Sequence, residues 1–169
     1  MIDQRNIYER LHSPGPTPED ELCACPDEPP IKLMSTGGIG FNPIHCLKCN
    51  RELRLERLEL SAELVDAIAD WYWTYGAIDA LELASGPYES WARSQLLDPE
   101  SWPNTEGLEI ARRLNGLRRC YFWFWQPDSD DDFEPRATCP YCDRSLVACE
   151  TGVFSQLVCE HCGVVVVGR

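Results

Sequence analysis

Cys139-Pro-Tyr-Cys142 and Cys159-Glu-His-Cys162 are the two stretches that decide the fold of the C-terminal part of this chain. A C-x2-C pair forms a tight knuckle whose two sulfurs point at one ion, and two such knuckles supply the tetrahedral thiolate set that structural zinc prefers. Residues 145–148 and 153–158 have strand patterns, residues 150–152 form the turn between them, and residues 164–167 form a third strand. The pattern predicts a zinc ribbon that binds zinc through Cys139, Cys142, Cys159 and Cys162.

A second set of cysteines lies near the N-terminus, with Cys23-Ala-Cys25 followed by Cys46-Leu-Lys-Cys49. The second half is an ordinary knuckle, whereas the C-x-C first half is less common. Residues 31–34 form one predicted strand, the glycines at 37, 38 and 40 form a turn, and residues 41–45 return to the knuckle. The hairpin brings the two halves together, so we predict a second zinc site at Cys23, Cys25, Cys46 and Cys49. The alternative is a flexible proline-containing arm with free thiols.

Both sites are of the structural type. A catalytic zinc ion keeps an open position and usually has fewer than four protein ligands. His45 is an alternative ligand, but its position next to Cys46 is poor for binding the same ion. The deaminase pattern, H-x-E with P-C-x-x-C, is not met, and no serine or cysteine nucleophile has an evident base. We therefore predict two structural zinc ions per chain and no enzyme activity.

Two cysteines lie outside these sites, Cys120 and Cys149. Cys120 follows Arg118 and Arg119, which would lower the pKa of an exposed thiol. It also opens an aromatic strand, which favours a buried, apolar side chain. We assign no chemistry to Cys149, and a reactive Cys120 is the only candidate for catalysis.

The middle of the chain is predicted to be helical. The first helix has a stripe of apolar residues spaced by three and four, with Ser61 as N-cap and residues 85–87 at its end; the stripe is Leu64, Ile68, Trp71, Tyr75 and Ile78. A second helix over residues 87–97 is expected to bury Trp91 and either Leu96 or Leu97. A third starts at Asn104 or Thr105 and ends at residues 115–116, with Leu108, Ile110, Ala111 and Leu114 apolar.

The stretch Cys120-Tyr-Phe-Trp-Phe-Trp125 fits a β-strand better than a helix because it is short and aromatic. One face, Phe122 and Phe124, is expected to pack on the helices. The other, Tyr121, Trp123 and Trp125, is expected to face the ribbon or a partner, and an exposed set could stack nucleic-acid bases. Residues 128–134 form an acidic loop without the spacing of a calcium site.

Several of these segments resemble an uncharacterised bacterial family of zinc-ribbon proteins with a suggested nucleic-acid-binding role. The similar residues are Cys46-Leu-Lys-Cys49, segments 52–58, 73–75, 79–83 and 107–114, the aromatic strand 121–125 and the terminal ribbon. The likeness spans residues 23–169 and is loose outside the knuckles. It implies zinc and suggests nucleic acid as a ligand, without an established activity.

The chain of 169 residues has a net charge of −13, which argues against binding to nucleic acid or to anionic membranes through bulk electrostatics. No apolar run reaches the length of a membrane span, and the first residues do not look like a signal peptide. Together with the reduced cysteines this predicts a cytoplasmic protein.

The expected fold is α+β, with a central helical segment and an aromatic strand flanked by two small zinc-ribbon-type β-hairpin modules. We expect a flexible arm over 1–22, the N-terminal zinc module over 23–60, the helices over 61–118, and the strand, acidic loop and ribbon over 119–169. The favoured function is binding of a basic protein, for example as an immunity or antitoxin-type inhibitor of a toxin. The alternative is nucleic-acid binding through the exposed tryptophans and two arginine clusters, at residues 51–57 and 112–119.

Overall fold

The computed structural model describes residues 8–11, 17–35, 42–127, 136–149 and 155–168. Within them, one six-stranded sheet has the order β2-β1-β3-β6-β5-β4. Its strands are β1 (Ile31–Leu33), β2 (Ile44–Cys46), β3 (Cys120–Trp123), β4 (Val147–Ala148), β5 (Gln156–Cys159) and β6 (Val164–Val167). The predicted turns at 37–40 and 150–152 and the acidic loop at 128–134 lie outside the described residues.

The aromatic strand β3 joins the two cysteine modules into this one sheet. β1 and β2 form an antiparallel hairpin in the N-terminal module, and β4, β5 and β6 form an antiparallel set in the C-terminal one. β3 pairs in parallel with β1 on one side and with β6 on the other. The structure confirms the predicted α+β arrangement, with β3 as the central strand between the modules.

The described residues form three α-helices on the core side of the sheet, α1 (Ala62–Ala84), α2 (Glu89–Leu97) and α3 (Trp102–Asn115), of which α3 packs directly on β3. The predicted stripe of α1 is buried in the main core. Ser61 caps the helix, because its Oγ accepts a hydrogen bond from the Leu64 N–H at 3.2 Å. The prediction for α1 is therefore confirmed, including its end just before Ser85.

The shorter helices depart from prediction in two places. Trp91 is 50% exposed, so its predicted burial is wrong; α2 instead buries Ala92 and Leu96, which lie four residues apart on one face. α3 begins at Trp102 rather than at residue 104 or 105, because Pro103 fits the first turn of a helix, where its missing N–H costs nothing.

β3 divides the apolar residues between two clusters. Phe122 and Phe124 belong to the main core under the helices, whereas Tyr121 and Trp123 belong to a second cluster on the other face, as predicted. Trp125 packs against the main core instead, so its predicted side is wrong. The strand ends at Trp123, and the alternation of side chains between faces continues through Phe124 and breaks at Trp125.

The second face of the sheet holds a buried lysine. Lys32 on β1 is 1% exposed, and its Nζ donates to Gln156 Oε1 at 3.0 Å and lies 4.3 Å from the centre of the Trp123 ring. Gln156 in turn donates to the Leu47 carbonyl. Burial lowers the pKa of Lys32 to about 8, since removing the ammonium from water disfavours its charged form.

This lysine predicts a pH-dependent stability. The pKa of Lys32 is about 8 in the folded protein and 10.5 in its usual state, so the unfolded chain binds more protons between these values and folding becomes more favourable as pH rises. Relative to Lys32→Met, the wild type should gain about 2 kcal/mol of unfolding free energy between pH 8 and about pH 10. Urea unfolding of both proteins measures this difference, and a difference that stays constant with pH would contradict the prediction.

Among the described residues, no helix combines the length and the apolar character that crossing a bilayer requires.

Candidate metal centres

The N-terminal centre brings together the four predicted cysteines, Cys23, Cys25, Cys46 and Cys49. Their Sγ atoms all lie within 4.8 Å of one another. Cys46 is the last residue of β2, and Cys49 lies in the turn that follows it. Cys23 and Cys46 are buried, while Cys25 and Cys49 are half-buried.

The C-terminal centre has the same composition, with Cys139, Cys142, Cys159 and Cys162 also within 4.8 Å of one another. Cys142 Sγ and Cys159 Sγ are 3.7 Å apart. A tetrahedral ion with Zn–S bonds of about 2.3 Å places its sulfurs about 3.8 Å apart, so this spacing fits zinc. Each centre can therefore hold one ion with four sulfur ligands.

The three C-x2-C knuckles share one backbone geometry. The residue after each second cysteine has a positive φ: 60° at Asn50, 55° at Asp143 and 70° at Gly163. Its N–H donates to the carbonyl of the first cysteine at 2.9–3.0 Å. In the first knuckle the Cys49 N–H also points at Cys46 Sγ, at 3.5 Å. These turns aim two sulfurs at the same point, independently of the rest of the fold.

The C-x-C half of the N-terminal centre is held differently. The Cys23 N–H donates to the Glu52 carbonyl at 2.8 Å. Glu52 is itself buried, and its Oε2 accepts from Thr17 Oγ1 at 2.8 Å and from Asn42 Nδ2 at 3.0 Å. The position of Cys23 thus depends on contacts distant in sequence, which the spacing of the cysteines does not predict.

The pKa values of the clustered thiols are shifted in both directions, raised for Cys46 and Cys139 and lowered for Cys142, where the Arg144 N–H donates to the sulfur. Burial, together with the adjacent thiols Cys159 and Cys142, raises the pKa of Cys139 to about 11. Burial likewise raises the pKa of Cys46. A divalent ion stabilises thiolates strongly, so a zinc ion bound at either centre would release protons.

Neither of the two described histidines belongs to a cysteine cluster. His45 is buried, and its Nδ1 lies 3.1 Å from the Asn50 carbonyl. His161 is exposed within the last knuckle, and His12 lies outside the described residues. The four ligand positions of the N-terminal centre are thus supplied by the cysteines, and His45 instead braces the turn that carries Cys49.

Cys120 is placed as the sequence predicted, as a buried side chain. Burial raises its pKa to about 12, which leaves the thiol protonated and unreactive at neutral pH. Cys149 is half-buried at the end of β4, next to the strand rather than within the C-terminal centre.

The arginines around the end of α3 are paired with carboxylates. Arg113 contacts Glu63 at 3.2 Å, and Arg119 contacts Glu160 at 2.5 Å. Longer pairs join Arg112 to Glu109 and Arg118 to Glu28. The Tyr121 hydroxyl also donates to Glu160, at 2.6 Å. The predicted basic patch is therefore a mixed surface in which each of these four cations has an acidic neighbour.

No family model, curated protein or solved structure matches this chain. The two four-cysteine clusters support the zinc-binding modules that the resemblance to zinc-ribbon proteins implies. Membership of that family has no support from the comparisons.

Proposed function

We propose that this chain is a non-catalytic zinc-binding protein that acts by binding another protein. One observation carries the proposal: each cluster supplies four sulfurs within 4.8 Å, which is the complete ligand set of a tetrahedral zinc ion. An ion bound by four thiolates keeps no position for water or substrate, so its role is to hold the fold together.

The charge of the chain favours a basic protein partner. The net charge is −13, and each zinc ion bound by four thiolates adds a net charge of about −2. Complementary charge accelerates the encounter of two proteins and rejects partners of the same sign. A concrete form of the proposal is an immunity or antitoxin-type inhibitor that covers a basic toxin.

The same surfaces give less support to nucleic-acid binding. The four arginines of the 112–119 cluster are paired with carboxylates of this chain, and in the 51–57 cluster Arg54 is paired with Glu19. Of the aromatic residues that would stack bases, Tyr121 is buried and Trp123 has Lys32 against its ring. Phosphate contacts would first have to break these pairs, which favours a protein ligand.

Co-purification tests this function. The tagged, zinc-loaded full chain, expressed in the host at low salt, should recover one basic protein in stoichiometric amount, and raising the salt concentration should reduce the recovery. Mass spectrometry identifies the protein and measures the ratio. Gel shifts with single- and double-stranded DNA and RNA, run in parallel, measure whether the same protein binds nucleic acid. Recovery of nucleic acid with no stoichiometric protein would overturn the proposal and favour the nucleic-acid alternative.

A further inference from the structure

The four sulfurs of the N-terminal centre come from two segments of different character. Cys46 and Cys49 lie on a hydrogen-bonded hairpin, in which the Cys46 N–H donates to the Arg51 carbonyl at 2.8 Å. The other two sulfurs lie on residues 17–25, which we name the strap. Along its described residues the strap contains no helix or strand, and Cys23 is its one fully buried residue. The strap therefore has little structure of its own to hold its two sulfurs in place.

Polar contacts to residues 51–54 hold the strap against the module. Two of them reach Glu52, one from the Cys23 N–H to its carbonyl and one from Thr17 Oγ1 to its Oε2, both at 2.8 Å. Two more involve exposed side chains, from Arg51 to the Asp20 carbonyl and from Arg54 to Glu19. Exposed charged contacts contribute little to stability, because water competes for the same groups.

A cleft of about 280 Å³ separates part of the strap from the module. Thr17, Glu19 and Leu22 of the strap line one side of the cleft, and residues 52–56 line the other. The strap is thus incompletely packed as well as weakly bonded. Two of the four sulfur ligands of a bound ion would be the strongest link between the strap and the rest of the chain.

The C-terminal centre is built without such a segment. Its first knuckle closes a hairpin, in which the Cys139 N–H donates to the Arg144 carbonyl at 2.9 Å. Its second knuckle begins at Cys159, the last residue of β5, and leads directly into β6. Both strands belong to the six-stranded sheet. Exposing these four sulfurs would therefore require the sheet itself to open, which costs far more than moving a strap.

We propose that the N-terminal centre is an exchangeable zinc site whose strap closes over the ion and opens when zinc is withdrawn, while the C-terminal centre keeps its ion. Opening frees residues 17–25 from residues 51–54 and leaves the sheet in place, because β1 is held by β2 and β3. The strap is thus closed when zinc is plentiful and open when zinc is scarce. This rests on the zinc-binding part of the proposed function and is independent of the partner.

Zinc release to an excess of a chelating dye tests this order. The zinc-loaded full chain should release two equivalents in two phases whose rates differ by at least about tenfold. During the first phase, hydrogen exchange should show loss of protection at the Cys23 amide while β3 and β6 stay protected. Alkylation with iodoacetamide at the end of that phase, followed by peptide mass spectrometry, should label the four N-terminal cysteines and leave the C-terminal four unlabelled.

A matched pair of variants tests the role of the strap. Thr17→Val keeps the shape of the side chain but removes its bond to Glu52, so the first phase should be faster by about fivefold, the effect of one hydrogen bond, with the second phase unchanged. Thr74→Val makes the same change at an exposed position of α1, outside both cysteine clusters, and should leave both rates unchanged.

Release of both ions in a single phase would overturn the inference, and so would labelling of the C-terminal cysteines in the first phase. Equal release rates for Thr17→Val and Thr74→Val would show that the contacts of the strap do not govern release. The measurement also separates this inference from the proposed function. A chain that binds two ions and releases them together contradicts only the exchangeable site, whereas a chain that takes up no zinc contradicts the proposed function as well.

Discussion

Replacing Cys139 by serine is expected to remove one of two zinc equivalents per chain and to unfold the protein. Cys139 is fully buried, and it is one of the four sulfurs of the C-terminal centre. Structural zinc contributes roughly 10–16 kcal/mol of apparent binding free energy in zinc-finger peptides at neutral pH, while a whole domain is stable by only about 5–15 kcal/mol. Weakening one centre therefore removes a large share of the folding free energy.

The loss should spread beyond the C-terminal module because the sheet is continuous. β6 follows the last knuckle directly, and its Val164 pairs with Phe122 of β3. Phe122 lies in the main core and contacts Trp71 of α1 with ring centres 6.1 Å apart. Disorder of the ribbon would thus remove a strand neighbour from the centre of the fold.

Elemental analysis and circular dichroism measure the two parts of this prediction. The wild type should contain two zinc ions per chain, and Cys139→Ser one or none, with loss of the cooperative thermal transition. Cys149→Ser is the matched control, because this cysteine lies on the same module but outside the cluster and should leave both ions bound. A Cys139→Ser protein that keeps one ion and melts at the wild-type temperature would contradict the structural role.

The cysteine clusters could be predicted because their geometry is local. A C-x2-C knuckle closes through a residue of positive φ, and Asn, Asp and Gly, which adopt such a backbone most readily, stand at positions 50, 143 and 163. The sequence therefore contains a second signal beside the cysteine spacing. Cys23-Ala-Cys25 has no such signal, since Cys23 is positioned by Glu52 across the module.

The joining of the modules into one sheet could not be predicted from local pattern. β1 and β3 pair in parallel although they lie far apart in the chain, with Ile31 opposite Cys120. An aromatic strand fits several neighbours equally well, and its propensity does not select among them. The wrong prediction for Trp91 has a related cause. In a helix as short as α2 the sequence pattern fits two different buried faces, and the face that packs against α1 is the one with Ala92 and Leu96.

The neutralised arginines show a further limit of sequence reasoning. Arginines close together in the chain predict a basic patch only when no carboxylate folds onto them. Here Glu63 comes from α1, Glu160 from the last knuckle and Glu28 from the segment before β1. A net charge of −13 makes such pairing frequent, so the composition was a better guide to the surface than the local clusters.

Replacing Gly107 by alanine should destabilise the protein by about 3 kcal/mol, near the upper end of the usual range for overpacking a core. This glycine lies where α3 crosses β3. A Cβ there would come within 2.3 Å of Phe122 Cε2 and 2.8 Å of Trp71 Nε1. Trp71 Nε1 already donates to the Pro103 carbonyl at 2.8 Å, so moving the indole to relieve the clash would also break a buried hydrogen bond.

Gly76→Ala is the matched control, because it makes the same change in the interior of α1 where a Cβ meets nothing within 4 Å. It should stabilise the protein by about 0.5–1 kcal/mol, the advantage of alanine over glycine in a helix. Urea unfolding of both zinc-loaded variants measures the change in unfolding free energy that each substitution causes. Helix propensity alone predicts that both substitutions stabilise the protein. If Gly107→Ala destabilises it and Gly76→Ala stabilises it, the cause is the close contact of α3 with Phe122 and Trp71. A Gly107→Ala protein as stable as the wild type would contradict the close packing of α3 on β3 described above.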